Sequence, residues 1–285
     1  MNALLEVRDL SVGYEVAGGI LGRRRIVPAV EGVSFDIRPG ETLAFVGESG
    51  SGKSTTGRAI LRLVPTLSGS IRFDGQDLAE WGTRTPLSYR RQVQAVFQDP
   101  SASLNPRQLV SQALDIALAR HGMGDRMARR RRMSEAIEMV GLTTAHLDRF
   151  PSELSGGQQQ RAAIARALVL EPRLVVCDEA VSALDLSTQG QIINLLADLQ
   201  QQTGVSYLFI AHDLALVRHI AHRVGVMSSG RLVELADTDR LFDAPQDPYT
   251  RPLLEATPAS HPAGREERRA VRLADRALAA EGASR

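Results

Sequence analysis

A glycine-rich segment carries the residue types that bind phosphate, and it reads Gly47, Glu48, Ser49, Gly50, Ser51, Gly52, Lys53, Ser54 and Thr55. An apolar run precedes it and a helical pattern follows it, which is the strand–turn–helix context that the G-x-x-x-x-G-K-[ST] pattern requires. Glycines let the backbone curl with positive φ, and the unpaired N–H groups at a helix start favour an anion. Lys53 can place an ammonium beside phosphates, and the Ser54 hydroxyl can hold Mg²⁺. The sequence therefore predicts a nucleotide phosphate loop.

Lysine usage points to the same loop. Lysine and arginine together number 34, and Lys53 is the one lysine among them. A compact ammonium fits between phosphate groups, whereas a broad guanidinium fork does not. Arginine is used at every other basic position, so the lysine in this loop indicates that position 53 requires an ammonium.

Two acidic residues, Asp178 and Glu179, follow an apolar run at residues 174–177. They lie at the carboxyl end of a predicted strand, where open α/β sheets bind their ligands. Asp178 can enter a Mg²⁺ shell directly or through water, because Mg²⁺ prefers oxygen ligands and keeps several waters. Glu179 can orient or deprotonate a water that attacks the terminal phosphate. The alternative reading, two helix-start acids without a chemical role, is left open by these residues alone.

Composition limits the class of protein. The chain has 285 residues, of which 24% are charged and 43% apolar, and its net charge is +1. These values are ordinary for a globular protein, and they give no electrostatic footprint for nucleic acid. Cys177 is the one cysteine, so a disulfide within the chain is excluded and a reducing compartment fits. We see no secretory signal and no apolar run of about eighteen residues, so any membrane role is expected to come through partners.

Periodicity predicts an α/β fold. Alternating apolar residues predict half-buried strands at residues 4–12, 30–37 and 70–73. The continuous apolar run at 174–177 is typical of a strand covered on both faces of a parallel sheet. Helical periodicity between about 106 and 153 predicts a helical lobe inserted into the main domain. Strands and helices alternate over residues 187–235, which favours a largely parallel sheet.

The sequence Leu-Ser-Gly-Gly-Gln at residues 154–158 resembles the signature motif of the ATP-binding cassette (ABC) ATPases. It lies between the phosphate loop and Asp178, where that family has it, and other family motifs follow in the family's order. The resemblance covers most of residues 4–235. It implies a P-loop NTPase with an ABC-ATPase core, a largely parallel sheet, an N-terminal antiparallel β-subdomain and an inserted helical lobe. It also implies an ATP hydrolase that uses Mg²⁺.

The resemblance gives roles to individual residues. Tyr14 matches the aromatic residue that stacks on adenine, and His212 matches the histidine that contacts the γ-phosphate. It implies that the catalytic residues are Glu179, His212 and Lys53, and that the Mg²⁺ ligands are Ser54, Gln98 and Asp178. It implies that the nucleotide contacts are Tyr14, residues 47–55, Gln98, Ser155, Gly156, Gly157, Gln158 and Asp185.

A second cassette follows from the same resemblance. Ser155 and the N–H groups after it form another anion site at a helix start. In the family two cassettes close head to tail, so that the signature helix of one covers ATP on the phosphate loop of the other. Asp185 belongs to the loop that crosses to the second cassette. One departure is Ala180, where the family commonly has proline, and it predicts a slightly less rigid loop after Glu179.

Two further stretches, residues 97–106 and 247–254, are similar to ATPases that drive dipeptide and oligopeptide importers, and a glycine- and arginine-rich hairpin near residues 18–25 suits the same group. The resemblance implies the ATP-hydrolysing subunit of a prokaryotic importer on the cytoplasmic face of the membrane. Its partners are then a second ABC ATPase subunit, two membrane-spanning permease subunits and, indirectly, an extracytoplasmic solute-binding protein, with no nucleic acid.

Alternatives within that group are importers of nickel, glutathione or another small solute. An alternative of another class is a soluble ABC-type ATPase, such as an accessory protein of phosphonate breakdown. The expected organisation is an ABC nucleotide-binding domain at 4–255 with the helical lobe at about 100–155, a peptide-importer-type segment at 235–258, and a flexible or short helical tail at 259–285.

Overall fold

The computed structural model describes residues 3–16, 25–99 and 103–255. The hairpin predicted near residues 18–25 lies outside the described residues except for Arg25, as does the whole tail predicted at 259–285. Residues 100–102 of the stretch that resembles peptide-importer ATPases also lie outside them.

The strands are β1 (Leu5–Val16), β2 (Arg25–Ile37), β3 (Thr42–Val46), β4 (Ser68–Phe73), β5 (Gln76–Asp77), β6 (Val93–Phe97), β7 (Leu174–Asp178), β8 (Ser206–Ile210), β9 (Arg223–Ser228) and β10 (Arg231–Asp237). The α-helices are α1 (Lys53–Ile60), α2 (Leu87–Gln92), α3 (Val110–Arg120), α4 (Arg126–Met139), α5 (Gly156–Leu168), α6 (Leu186–Thr203), α7 (Leu214–Ile220), α8 (Thr238–Asp243) and α9 (Thr250–Glu255). Short 3₁₀ helices occupy Leu78–Trp81, Thr144–Asp148 and Pro151–Glu153.

The main sheet has six strands in the order β10-β9-β3-β8-β7-β6. All its neighbouring strands are parallel except β10, which pairs antiparallel with β9. The prediction of an α/β fold with a largely parallel sheet is confirmed. Every residue of β3, β7 and β8 is buried, as expected for central strands covered on both faces. The carboxyl ends of the parallel strands therefore meet at one edge of the sheet.

A second, antiparallel sheet has the order β2-β1-β4-β5, which confirms the predicted N-terminal antiparallel subdomain. Its first strand extends beyond the predicted end at Val12, because Tyr14 still pairs with Val27 although both side chains are exposed. The alternation of apolar and polar residues reports burial, so it ends where the strand pair leaves the core, not where the hydrogen bonding ends.

Helices α3, α4 and α5 lie between β6 and β7 in the sequence. The apolar residues of α3 lie one turn apart at Val110, Leu114 and Leu118, and all three are fully buried. They belong to the same buried cluster as Val175 of β7 and Ile192 of α6, so the helical region shares its core with the main sheet. Within the described residues, every helix is too short or too polar to span a bilayer.

Candidate functional site

The segment at residues 47–52 connects β3 to α1 in a conformation that glycine makes possible. The φ angles of Gly47, Gly50 and Gly52 are 140°, 79° and 102°, all in the left-handed region. A Cβ on Gly47 would lie 2.1 Å from the carbonyl oxygen of Met227, and one on Gly52 would lie 2.7 Å from that of Ala29. At Gly47 and Gly52, glycine is therefore required both because a side chain has no space and because φ is positive.

Lys53 is the first residue of α1, and its side chain folds back into the segment at residues 47–52. The ammonium Nζ donates to the carbonyl oxygens of Gly47 at 2.8 Å and Glu48 at 2.7 Å, and to Ser51 Oγ at 3.2 Å. Burial lowers the pKa of Lys53, while the nearby carboxylates of Glu179, Asp178 and Glu48 oppose that effect. The loop therefore surrounds the Lys53 ammonium, whose positive charge would attract an anion bound to the loop.

Ser54 and Asp178 meet although 124 positions separate them in the sequence. Ser54 Oγ donates to Asp178 Oδ1 at 2.6 Å. Burial raises the pKa of Asp178, and the Ser54 hydrogen bond opposes this in part. A desolvated carboxylate next to a hydroxyl oxygen is a donor set that suits Mg²⁺, and the ion's charge would compensate the cost of burial.

Glu179 and His212 face each other at the ends of β7 and β8. His212 Nε2 donates to Glu179 Oε1, and the side chain of Glu179 is 19% exposed. Glu179 has a φ of 53°, an uncommon value for a residue with a Cβ. Its N–H donates to Ile210 O at 3.0 Å, and its carbonyl accepts from the N–H and the hydroxyl of Ser182. These bonds hold the strained backbone in place.

Gln98 and Tyr14 lie at the border of the same region. Gln98 is exposed and comes directly after Phe97, the residue of β6 that is paired with Asp178. The Tyr14 hydroxyl hydrogen-bonds with Thr55 Oγ1 at 3.2 Å, and Tyr14 is 39% exposed. The antiparallel sheet thus presents an aromatic side chain next to the start of α1.

The signature residues form the start of α5. Ser155 is its N-cap: Ser155 Oγ accepts from the Gln158 N–H at 3.4 Å, and the Gln158 Oε1 accepts from the Ser155 N–H at 2.9 Å. Asp185 is the N-cap of α6 and accepts from the N–H and the hydroxyl of Thr188, which lowers the Asp185 pKa. A Cβ on Gly157 would lie 2.8 Å from Thr188 Cγ2, so these two helix starts are in contact.

The predicted site residues thus fall into two groups. The phosphate loop, Asp178, Glu179 and His212 meet at the carboxyl edge of the main sheet, with Gln98 and Tyr14 beside them. Ser155 to Gln158 and Asp185 form a separate group. Across the described ranges, no hydrogen bond or ion pair connects residues 155–158 to residues 47–55.

Sequence reasoning missed two contributors. Gly230, in the turn between β9 and β10, donates its N–H to Ser51 O at 3.1 Å. The residues Ser228-Ser229-Gly230 are typical of a turn, but no local pattern in the sequence indicates its contact with the phosphate loop. His146 Nε2 lies 3.4 Å from Gln158 Nε2, and nothing in the sequence around His146 indicates that contact.

Comparison with known proteins gives the family of this chain. The family model for ABC transporters matches residues 30–182. The glutathione import ATP-binding protein GsiA of Salmonella typhi is 51% identical over 271 residues, which cover 94% of this chain and 43% of the relative. GsiA of Escherichia coli K12 is 50% identical over 269 residues, with the same coverage. The chain thus spans less than half the length of these curated relatives.

Solved structures show the same fold. CbiO1 from Clostridium perfringens, part of the ABC transporter complex CbiONQ, has a TM-score of 0.72 at 27% identity and covers 86% of this chain and 92% of its own. The ATP-binding cassette MJ0796, solved as a dimer in a post-hydrolysis state with ADP and Pi, has a TM-score of 0.70 at 26% identity and covers 82% and 98%. Because the family match spans more than half of the sequence and includes the phosphate loop, the signature motif and Glu179, this chain belongs to the ABC transporter family as an ATP-binding cassette.

Proposed function

We propose that this chain is the ATP-binding and ATP-hydrolysing subunit of a prokaryotic ABC importer for dipeptides, oligopeptides or a related small peptide. The observation that carries the proposal is the meeting of the phosphate loop with Asp178, Glu179 and His212 at one edge of the sheet. Glutathione is itself a tripeptide, so the identity with GsiA supports the same solute class. Nickel and other small solutes are the alternatives for the importer.

The phosphate loop would bind the triphosphate through charge and backbone donors. Lys53 Nζ, which bonds to Gly47 O and Glu48 O, is close enough to the loop to turn toward phosphate oxygens. The unpaired N–H groups in the first turn of α1 add a positive dipole end. Tyr14 offers a partly exposed ring for adenine, held next to Thr55 by its hydroxyl.

The residues present fit a magnesium ion bound together with ATP. Ser54 and Asp178 would be its protein ligands, with Gln98 beside them, and the ion would supply charge neutralisation for the phosphates. Asp178 is 8% exposed, so its carboxylate is a strong ligand with little competing water.

Glu179 is the group that we assign to proton transfer. Its Oε1 already accepts a hydrogen bond from His212 Nε2, so the carboxylate is oriented from the side of β8. Glu179 would accept a proton from a water whose oxygen forms the new bond to the terminal phosphorus, while the bond from that phosphorus to the bridging oxygen breaks and ADP leaves with the electron pair. When ATP is bound, His212 Nε2 would turn from Glu179 to donate to the terminal phosphate and orient it for the attack.

Completion of the site requires a second cassette in this proposal, either another copy or a homologous chain. The start of α5, with Ser155 as its N-cap, presents N–H groups that are suited to an anion outside the chain's own phosphate loop. The dimer of the related cassette with ADP and Pi supports this arrangement. The chain would lie on the cytoplasmic face of the membrane against two membrane-spanning permease subunits, and a solute-binding protein outside the membrane would act with them indirectly.

Two variants test the enzymatic part. Glu179→Gln keeps the shape of the side chain but removes the base, so it should bind Mg-ATP and hydrolyse it at least about 100-fold more slowly. Lys53→Ala should lose most of its affinity for ATP. Both are measured by equilibrium binding of a fluorescent ATP analogue and by phosphate release. Normal hydrolysis by Glu179→Gln would contradict the assignment of the base.

Co-purification tests the transport part. Membrane-spanning subunits recovered with the chain from a detergent extract would support import, whereas a soluble enzyme complex would support the phosphonate-breakdown alternative. Uptake of labelled glutathione, a dipeptide and nickel by cells with and without the Glu179→Gln variant then identifies the solute. If none of the three depends on the chain, the peptide assignment fails.

A further inference from the structure

The turn between β9 and β10 contacts both the phosphate loop and the antiparallel sheet. The N–H of Gly230 donates to Ser51 O at 3.1 Å, and the carbonyl of Gly230 accepts from the Glu31 N–H at 2.8 Å. The backbone of Gly230 therefore connects the phosphate loop to the antiparallel sheet. We call the contact among Gly230, Ser51 and residues 29–31 of β2 the junction.

The backbone at the junction has little free space. Ser229 and Gly230 have φ angles of 47° and 81°, the left-handed pair expected of a type I′ hairpin turn. A Cβ on Gly230 would lie 3.0 Å from Ala29 O, and a Cβ on Gly52 would lie 2.7 Å from the same oxygen. The turn and the phosphate loop thus pack against the same carbonyl of β2, so an added Cβ at Gly230 would press on β2 at Ala29.

An ion pair connects the turn to β2 beside these backbone contacts. Arg231 Nη2 lies 2.9 Å from Glu31 Oε2, with side chains 69% and 41% exposed. Because exposed pairs contribute little stability, this one can be removed without unfolding the chain. It also offers a way to loosen the junction without changing any φ angle.

The junction is connected to Tyr14 along β2, across an irregularity in the β1–β2 pairing at Ala29, which lies between the pairs Gly13–Pro28 and Val12–Val30. Tyr14 of β1 is paired with Val27 of β2, two residues before Ala29. A displacement of Ala29 therefore reaches Tyr14 through the two residues of β2 that precede Ala29 and the Tyr14–Val27 pair. The Tyr14 hydroxyl also hydrogen-bonds with Thr55 in α1, so the sheet meets the phosphate-binding element at two places.

We propose that the junction sets the position of Tyr14 relative to the phosphate loop, and that it thereby determines how much the base of a nucleotide adds to binding. Gly230 and Glu31 are positioning residues, since they act through Ser51 and Tyr14. The proposal rests on the proposed function, in which Tyr14 contacts adenine and the loop holds the phosphates.

The test compares two ligands in the full chain. Gly230→Ala should weaken binding of Mg-ATP about tenfold, because a left-handed alanine is strained and its Cβ displaces Ala29. Binding of magnesium tripolyphosphate, which has no base, should change by less than about threefold. Gly75→Ala is the matched control: its φ is also 81°, but a Cβ there meets nothing within 4 Å. It should leave both affinities unchanged.

A second variant covers the case in which Gly230→Ala does not fold. Glu31→Gln breaks the ion pair without backbone strain, and it should weaken ATP binding about twofold while tripolyphosphate binding stays constant. Equal losses for both ligands, or no loss for either, would overturn the role of the junction. Failure of the unmodified chain to bind either ligand would instead refute the proposed function itself.

Discussion

Asp178→Asn should make the nucleotide-free protein more stable while it abolishes magnesium-dependent hydrolysis. The raised pKa of Asp178 means that its surroundings in the folded protein disfavour the carboxylate relative to the neutral form. Desolvation is the largest cause, and asparagine removes the charge while its amide oxygen can still accept from Ser54 Oγ. A site that favours a bound cation therefore costs stability when the protein is free.

The size of the effect follows from opposing contributions. The effective penalty for burying one ion is several kcal/mol. Against it, a hydrogen bond to a charged acceptor is stronger than a neutral one by about 1 kcal/mol. The variant also gives up attraction to Arg58 and Lys53, while repulsion from Glu179 disappears. We expect a net gain in unfolding free energy of about 1 kcal/mol, or a rise in Tm of about 2–4 °C.

The pH dependence provides the sharper check. A carboxyl with a raised folded pKa penalises the folded protein above that pKa, and the penalty disappears as pH falls toward 3.8, the ordinary value. The advantage of Asp178→Asn should therefore be full at pH 7 and shrink in acid. Thermal unfolding without nucleotide at a series of pH values measures it. A variant that is less stable than the unmodified chain at pH 7, or whose advantage grows in acid, refutes the reasoning.

Asp185→Asn is a control with the opposite sign. Hydrogen bonds from Thr188 lower the pKa of Asp185, so the carboxylate stabilises the folded protein above the ordinary pKa. Asparagine should lower stability at pH 7, and the deficit should vanish as pH falls through the lowered pKa. The two Asp→Asn substitutions should therefore change the stability in opposite directions, because the surroundings of the two carboxylates differ.

Two other predictions concern space and unpaired groups. Gly47→Ala should reduce ATP affinity by at least about 100-fold in a nucleotide titration, because its Cβ would lie 2.1 Å from Met227 O. Gly50→Ala, with nothing within 4 Å, should cost only the strain of its φ, about 1 kcal/mol. Gln160→Met should raise stability to urea by about 1 kcal/mol, since in the described chain neither buried amide atom of Gln160 has a partner; a decrease would mean that Gln160 is hydrogen-bonded to water.

Much of the fold was predictable because residues that are buried in strands and helices form recognisable apolar patterns in the sequence. The central strands are continuous apolar runs, and α3 repeats its apolar residues once per turn. Short elements were missed: α8 and α9 have six residues each, too few to show a helical period. The extension of β1 beyond Val12 was missed because Tyr14 and Glu15 are exposed there, so the alternation of buried and exposed residues ends.

The residues of the site could be named from the sequence, but their contacts could not be. Lys53, Asp178 and Glu179 were identified by residue type and by position after an apolar run. The hydrogen bond between Ser54 and Asp178 spans 124 positions, and it exists because β3 and β7 both lie next to β8. That order depends on packing of the whole sheet, which no local pattern records.

The separation of the two groups of site residues has a physical consequence for the proposed dimer. A Cβ on Gly157 would lie 2.8 Å from Thr188 Cγ2, and one on Gly156 would lie 3.6 Å from Leu184 Cδ2, so the starts of α5 and α6 pack against each other. We expect a second cassette that contacts the loop at Asp185 also to displace the N–H groups at the start of α5. This displacement would change their distance from the ATP on the phosphate loop of the second cassette. Coupling of this kind needs no flexible linker, because two helix starts in contact already transmit the displacement.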